Sequence, residues 1–183
     1  MYDLVNHFPF TYKRPGLRSL LLLTFLILLI SCNRQHGGES DPRGRILEYT
    51  SEVTFLNLAG EAVSTIETAV ADDEASRSAG LMNVQRLPTD KGMIFIFEDQ
   101  QPRSFWMANT PLALDIIFVN ADFEIVRIHR NTQPYSDRSI QSEKPAKFVI
   151  ETNAGYTLQH DIMEGMSIKV QFLSNDMQDH QIE

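Results

Sequence analysis

Short apolar segments separated by polar turns run through most of the chain. Alternation of apolar and polar positions, or apolar residues on both faces, predicts about eight short strands. The pattern MIFIF at 93–97 is apolar on both faces, which is typical of a central strand. Ala59-Gly60-Glu61 predicts a hairpin turn between the first two strands. The strands are expected at residues 53–58, 62–71, 93–97, 104–107, 112–119, 123–130, 147–151 and 167–173.

Two short helices are predicted between these strands. The first begins after Asp72 or Asp73, which can cap free backbone N–H groups, and ends at Gly80, which suits a left-handed stop. The second is expected over 156–161, whereas the polar residues 131–146 predict a loop. Together these elements predict a mainly β fold, an antiparallel β-sandwich or barrel with one or two short helices.

One acidic residue interrupts the most apolar of the predicted strands. Within residues 112–119, Asp115 shares its face with Ala113, Ile117 and Val119. Burying a carboxyl group costs free energy unless the group is hydrogen-bonded or paired. Another part of the fold must therefore supply partners for Asp115, which makes it the first place to look for a site.

The N-terminal segment predicts an export signal. Basic residues between positions 13 and 18 precede an apolar run at 20–30, which is too short for a typical membrane span and suits a signal peptide. The run ends in Leu29-Ile30-Ser31-Cys32, which resembles a bacterial lipobox. By that resemblance the chain is cleaved before Cys32, whose sulfur and amine then carry acyl chains that anchor the protein in a membrane.

The lipobox interpretation predicts a lipid-anchored protein of the cell envelope that faces the periplasm. Asn33 follows the cysteine, whereas Asp is the usual inner-membrane retention signal in enterobacteria, so the outer membrane is favoured over the inner one. The alternatives are an ordinary secretory signal with an incidental cysteine, and a retained N-terminal helix.

Length and composition suit one globular domain with a sizeable core. Four parts are predicted: a signal peptide at 1–31, the lipidated Cys32 with a flexible tether to 48, one β domain at 49–173 and a flexible tail at 174–183. The chain has 16 basic and 24 acidic residues, a net charge of -8, and its basic residues are scattered. We therefore expect no nucleic-acid partner. With one cysteine, the chain forms no internal disulfide.

Five segments, taken in order, resemble domain-of-unknown-function family 192. They are RSAGLM at 77–82, GMIF at 92–95, FWMANT at 105–110, LDIIF at 114–118 and ETNAG at 151–155. The resemblance covers roughly residues 52–173 and implies a compact, mainly β domain that is often exported or lipid-anchored in bacteria. It carries over no activity or catalytic residue. The chain departs from the family at Ala113, where Pro is frequent, and at Met166, where Asp is frequent.

The sequence contains no strong catalytic, metal or cofactor motif. It lacks a paired-cysteine motif, a His-Glu-x-x-His helix, a Gly-x-Ser-x-Gly elbow and a phosphate-binding glycine loop. His129 and His160 are isolated. We therefore expect no metal and no cofactor, and the sequence leaves open whether the protein is an enzyme.

The best candidate constellation is Arg77, Asp115 and Glu151, with Trp106 and Asn109 close to them in the motifs. If the three charged groups are adjacent, Asp115 and Glu151 are catalytic candidates for general acid–base work. The favoured alternative is a buried salt bridge in which Arg77 satisfies Asp115 and holds the first helix on the sheet. Trp106 is interpreted either as a core anchor, the safer choice, or as a platform for a ligand such as a carbohydrate.

These observations lead to three hypotheses of function. The favoured one is an envelope β domain that binds a small ligand, glycan or protein partner without catalysis, through Arg77, Trp106, Asn109, Asp115 and Glu151. The second is an envelope glycan hydrolase, which needs Asp115 and Glu151 within about 5–10 Å of each other across an open cleft. The third is a structural or assembly module of the envelope.

Overall fold

A computed structural model describes residues 45–173, which form one curled seven-stranded sheet and two short helices. The mainly β class and the barrel-like curvature are confirmed. The strands are β1 (Ser51–Leu56), β2 (Ala62–Ala71), β3 (Lys91–Phe105), β4 (Leu114–Val119), β5 (Ile125–Thr132), β6 (Ile140–Asn153) and β7 (Ser167–Phe172), and the helices are α1 (Glu74–Ala79) and α2 (Tyr156–Gln159). None of the helices within 45–173 has the length and apolar character needed to span a membrane.

The predicted signal peptide, the lipidated Cys32 and the predicted tail lie outside the described residues and stay predictions. Only the last part of the predicted tether is described. There, Arg45 donates a hydrogen bond from Nη1 to the carbonyl oxygen of Gly80 at 2.7 Å, and its backbone N–H donates to the Asn83 carbonyl at 3.1 Å. The chain is therefore fixed to the loop after α1 from Arg45 onward.

The strands lie in the order β5-β4-β6-β3-β2-β1-β7. The predicted hairpin of β1 and β2 is confirmed, and β2 and β3 form the one parallel pair within 45–173, because α1 and its following loop carry the chain back before β3 begins. The sheet curls until its edge strands meet at one corner. There Glu124 bridges Ser167, and the Ile125 N–H donates to the Met166 carbonyl at 2.7 Å. The fold is thus a partly closed barrel made from one sheet, not two packed sheets.

Two strands are longer than the sequence pattern predicts. The predicted strands at 93–97 and 104–107 are parts of β3, which is irregular between them. The predicted loop at 131–146 was wrong at both ends. Residues 131–132 belong to β5, and residues 140–146 form the first half of β6 and pair with the outer part of β3. Most side chains in this ribbon are exposed, so backbone hydrogen bonds hold it without an apolar alternation that the sequence could reveal.

The caps of α1 agree with the prediction. Asp73 accepts hydrogen bonds from the backbone N–H groups of Ala75 and Ser76, and the Asp73 N–H donates back to Ser76 Oγ, which forms a capping box. Gly80 ends the helix with a positive φ of 43°. Such a short helix would not be stable alone, so these caps and its packing against the sheet hold it in place.

Each face of the sheet carries its own apolar cluster. The inner cluster joins strands from both ends of the sheet, including Phe55, Ile125 and Ile168, and fills the inside of the curl. The outer cluster, which includes Leu81 and Phe118, lies on the opposite face beneath α1 and the segments that follow β3. Successive residues of a strand point to opposite faces of the sheet. A shift of one position therefore moves a side chain from one cluster to the other.

Candidate functional site

Asp115 is the most completely satisfied buried acid of the described chain. It is fully buried, on the inner face of β4. Its Oδ1 accepts from the backbone N–H groups of Asn131 at 2.9 Å and Gly155 at 3.2 Å. Its Oδ2 accepts from the backbone N–H of Thr157 at 3.0 Å and from Thr157 Oγ1 at 2.7 Å. One side chain therefore joins β4 to the end of β5 and to the start of α2.

The predicted salt bridge between Arg77 and Asp115 was wrong. Arg77 donates from Nη1 to the carbonyl oxygen of Ile96 at 2.9 Å, and its guanidinium lies 5.3 Å from the centre of the Phe97 ring. Backbone N–H groups already supply the partners of Asp115. Such donors leave no charge pattern in a sequence, so a cation from one of the family-like segments was expected instead.

Glu151 lies on the opposite face of the sheet from Asp115. In β6 it pairs with Met93 of β3 and Ile116 of β4, whereas Asp115 pairs with its neighbour Thr152. Glu151 is 4% exposed, and its Oε2 is enclosed without a hydrogen-bond partner. Burial raises the pKa of this carboxyl to about 8, because the charged form loses its water.

This geometry argues against the glycan hydrolase. A pair of catalytic carboxylates must flank one bond of the substrate from an open cleft. Asp115 and Glu151 are both buried, and the sheet itself separates them.

Glu151 lines a cavity of about 300 Å³ between α1 and the outer face of the sheet. One wall is aromatic and consists of Phe95, Phe97, Phe105 and Trp106, and the opposite wall comes from α1 and the turn after it. The rings of Phe95 and Phe105 pack edge to face with centres 4.9 Å apart, which fixes this wall. The charged residues that line the cavity are Glu74, Arg77 and Glu151.

Trp106 is not a core anchor, although that was the safer interpretation of the sequence. Its side chain is 59% exposed and lines the cavity, while the next residue, Met107, is 1% exposed and fills the outer cluster. The strand ends at Phe105, so the alternation of faces does not continue to the tryptophan. An exposed indole beside an apolar cavity is suited to stack on a ligand.

Asn109 is exposed and does not line the cavity. Its carbonyl oxygen accepts from the Asn83 N–H at 2.9 Å, and it adopts a left-handed backbone conformation with φ of 54°, which asparagine tolerates better than most residues. Its neighbour Thr110 lines the cavity. Asn109 therefore shapes the loop that carries the wall.

The predicted site residues thus divide into three groups. Arg77, Trp106 and Glu151 share one cavity, Asn109 supports it and Asp115 lies on the other face. The sequence analysis missed the phenylalanine wall, although the alternate positions of Phe95 and Phe97 in β3 place both rings on one face. Within residues 45–173, no three His, Cys, Asp or Glu side chains gather as metal ligands do.

Comparison with known proteins gives a family and a fold. The family model DUF192, described as "Uncharacterized ACR", matches residues 55–170. A crystal structure from Sinorhizobium meliloti 1021, provisionally described as that of a transcription regulator, is 31% identical with a TM-score of 0.65, and the match covers 69% of this chain and 98% of that one. A protein of unknown function from Novosphingobium aromaticivorans DSM 12444 is 30% identical with a TM-score of 0.61, over 64% of this chain and 83% of that one. No curated protein matches the sequence significantly.

We expect Asp115→Asn to lower the free energy of unfolding by about 2–4 kcal/mol, because an amide leaves at least one buried N–H donor without an acceptor. Thr157→Val removes the two hydrogen bonds of the hydroxyl, to Asp115 and from Arg130 Nε, keeps the backbone donors to Asp115 and should cost less, about 1–2 kcal/mol. Chemical denaturation of both variants measures the difference. An Asp115→Asn variant as stable as the wild type would contradict the structural role of this carboxyl.

Glu151→Gln should change how stability depends on pH. The pKa of Glu151 is raised in the folded chain, so the unfolded chain loses this proton first. Wild-type stability should therefore fall as the pH rises from about 4.5 to about 8 and level off above, with each pKa unit worth ~1.4 kcal/mol. The variant should match the wild type near pH 4 and exceed its melting temperature at pH 8. Parallel pH curves would refute this, and Glu98→Gln, at an exposed position, is the matched control.

Proposed function

Because the chain belongs to the uncharacterised DUF192 family, we propose a function from its own cavity, namely that the domain binds a small ligand between α1 and the outer face of the sheet, without catalysis. The observation that carries the proposal is the buried carboxyl of Glu151. A buried polar group without a partner lowers stability, whereas glutamine or valine at this position would avoid the ionisation cost. A carboxyl kept at such a cost beside an apolar cavity is typical of a ligand site.

The walls of the cavity support a ligand with an apolar or ring-shaped body. Phe95 and Phe105 form a fixed apolar surface, and Trp106 extends this surface to the cavity mouth. A ligand of this kind buries its body against the rings and directs one polar group to Glu151. Apolar walls with a few well-placed polar groups are the usual composition of small-molecule sites.

We further propose that the domain acts in the cell envelope, facing the periplasm, and that lipidated Cys32 anchors it, in the outer membrane rather than the inner one. The support is the lipobox-like segment at the end of the apolar run. Arg45 is bound to Gly80, which lines the cavity, so the chain leaves the domain at the cavity rim. Residues 33–44 can span at most about 40 Å, which would keep the cavity close to the membrane.

We propose no nucleic-acid role. The description as a transcription regulator belongs to the Sinorhizobium meliloti protein. This chain has 24 acidic and 16 basic residues, and proteins that bind nucleic acid need a concentrated basic surface.

Ligand binding should be visible through Trp106, the one tryptophan of the chain. We expect a ligand from a panel of sugars, short peptides, amines and carboxylic acids to change its fluorescence and to raise the melting temperature of the full chain in a nonionic detergent. Trp106→Ala should weaken this binding about five- to tenfold, since it removes the stacking surface. Lys169→Ala, at an exposed position of β7, is the control and should bind normally. The proposal fails if no compound binds, or if Trp106→Ala binds the compounds as tightly as the wild type does.

Anchoring should depend on Cys32. In cells fed an alkyne fatty acid, we expect the wild type to be labelled and to sediment with membranes, and Cys32→Ser to be unlabelled and not lipid-anchored. Wild-type protein without label would contradict the lipid anchor, while leaving the cavity proposal untouched.

A further inference from the structure

We propose that the ligand presents an ammonium group, as a primary amine or a quaternary ammonium, to Glu151 at the buried end of the cavity. This inference rests on the proposed function and names the chemical class of its ligand. It is carried by a buried carboxyl without a partner and by the exposed indole that lines the same cavity.

Within residues 45–173, the carboxyl of Glu151 lacks both an ion-pair partner and a hydrogen-bond donor to Oε2. Surface acids of the described chain find cations, as Glu67 does with Lys91 at 2.6 Å and Asp99 with Arg103 at 2.6 Å. Among the described residues, no Lys, Arg or His nitrogen lies within ion-pair distance of Glu151, and its Oε2 accepts no hydrogen bond. An opposite charge is the strongest compensation for a desolvated carboxylate, and a primary ammonium adds N–H donors to it.

The aromatic wall of the cavity suits a cationic ligand. The faces of aromatic rings carry negative partial charge and attract cations, most strongly where water is excluded. The Phe97 ring already makes cation–π contacts with two guanidinium groups. That of Arg103 lies 3.8 Å from the ring centre and that of Arg77 lies 5.3 Å from it.

Trp106 has no such cationic partner among the described residues, is 59% exposed and lines the same cavity as Glu151. The Phe105 ring packs edge to face against neighbouring rings and adds apolar surface. A carboxylate beside an accessible indole favours an ammonium over a neutral or anionic group.

Two other charged side chains line the cavity. The guanidinium of Arg77 is held in place by its hydrogen bond to the Ile96 carbonyl. Glu74, at the start of α1, is the other charged residue of the lining, while β4 supplies the uncharged Ile116 and β3 the uncharged Met93 beside Glu151. Arg77 would repel a second ammonium at the outer end of the ligand, and Glu74 would attract it. The inference is therefore confined to the one ammonium at Glu151.

Binding of an ammonium changes the protonation of Glu151. Burial raises the pKa of its carboxyl to about 8, so the free protein holds this proton at neutral pH. The bound ammonium stabilises the carboxylate, and the proton passes to the solvent. Below pH 8 each bound ligand should therefore release about one proton, and affinity should rise about tenfold per pH unit until it levels near pH 8.

The experiment is isothermal titration calorimetry of the full chain in a nonionic detergent, at pH 6, 7 and 8, in two buffers with different ionisation enthalpies. Choline and its uncharged isostere 3,3-dimethyl-1-butanol test the charge at constant shape. Butylamine tests a primary amine. Trp106 fluorescence reports whether each probe occupies the cavity.

We expect choline or butylamine to bind at least tenfold more tightly than the alcohol at pH 8, with proton release and with weaker binding at pH 6. Glu151→Gln should abolish the preference for the charged ligand. Trp106→Phe should weaken binding of both ligands but leave the preference for the charged one unchanged. Proton release by the wild type tests the inference even if the Gln variant does not fold.

Three results would overturn the inference. If the alcohol binds as tightly as choline, the ligand is neutral, and the proposed function stands without the ammonium. If Glu151→Gln keeps the full preference for charge, another group recognises the cation. If no probe or panel compound affects Trp106, the inference and the proposed function fail together.

Discussion

The fold depends on the hydrogen bonds that converge on Asp115. Its carboxyl oxygens hold the end of β5, the turn at Gly155 and the first residues of α2 against β4. Thr157 extends the network, because its Oγ1 also accepts from Arg130 Nε at 3.0 Å. These donors satisfy the acid without any cation. Arg77 is consequently free to lie on the other side of the sheet, where it borders the cavity.

Two buried acids on neighbouring strands show why burial alone does not identify a site. Asp115 is surrounded by donors and stabilises the fold in the same way as a good helix cap does. Glu151 is almost as buried, has an oxygen without a partner and faces an apolar space. The two acids differ in their hydrogen bonds. Glu151 is therefore the better candidate for a functional site, although the sequence pointed first to Asp115.

The sequence was sufficient for the elements that local chemistry determines. Alternation located most strands, and Asp73 and Gly80 marked the ends of α1. It was insufficient where the determining partner is distant or is the backbone itself. Residues 140–146 pair as a strand although their pattern is polar, and the donors to Asp115 come from residues far along the chain. Trp106 was assigned to the core because alternation does not show that β3 ends one residue earlier.

The position of the last strand has a consequence for how the chain acquires its structure. β1 is bonded to β2 on one side and to β7 on the other, over the whole length from Ser51 to Leu56. Contacts between segments so distant in sequence form late, because the long loop between them must close first. The barrel therefore cannot be completed before the C-terminal strand has been synthesised. Until then β1 exposes unpaired N–H and C=O groups, and a chain that stops short of β7 would offer that edge to its neighbours and aggregate.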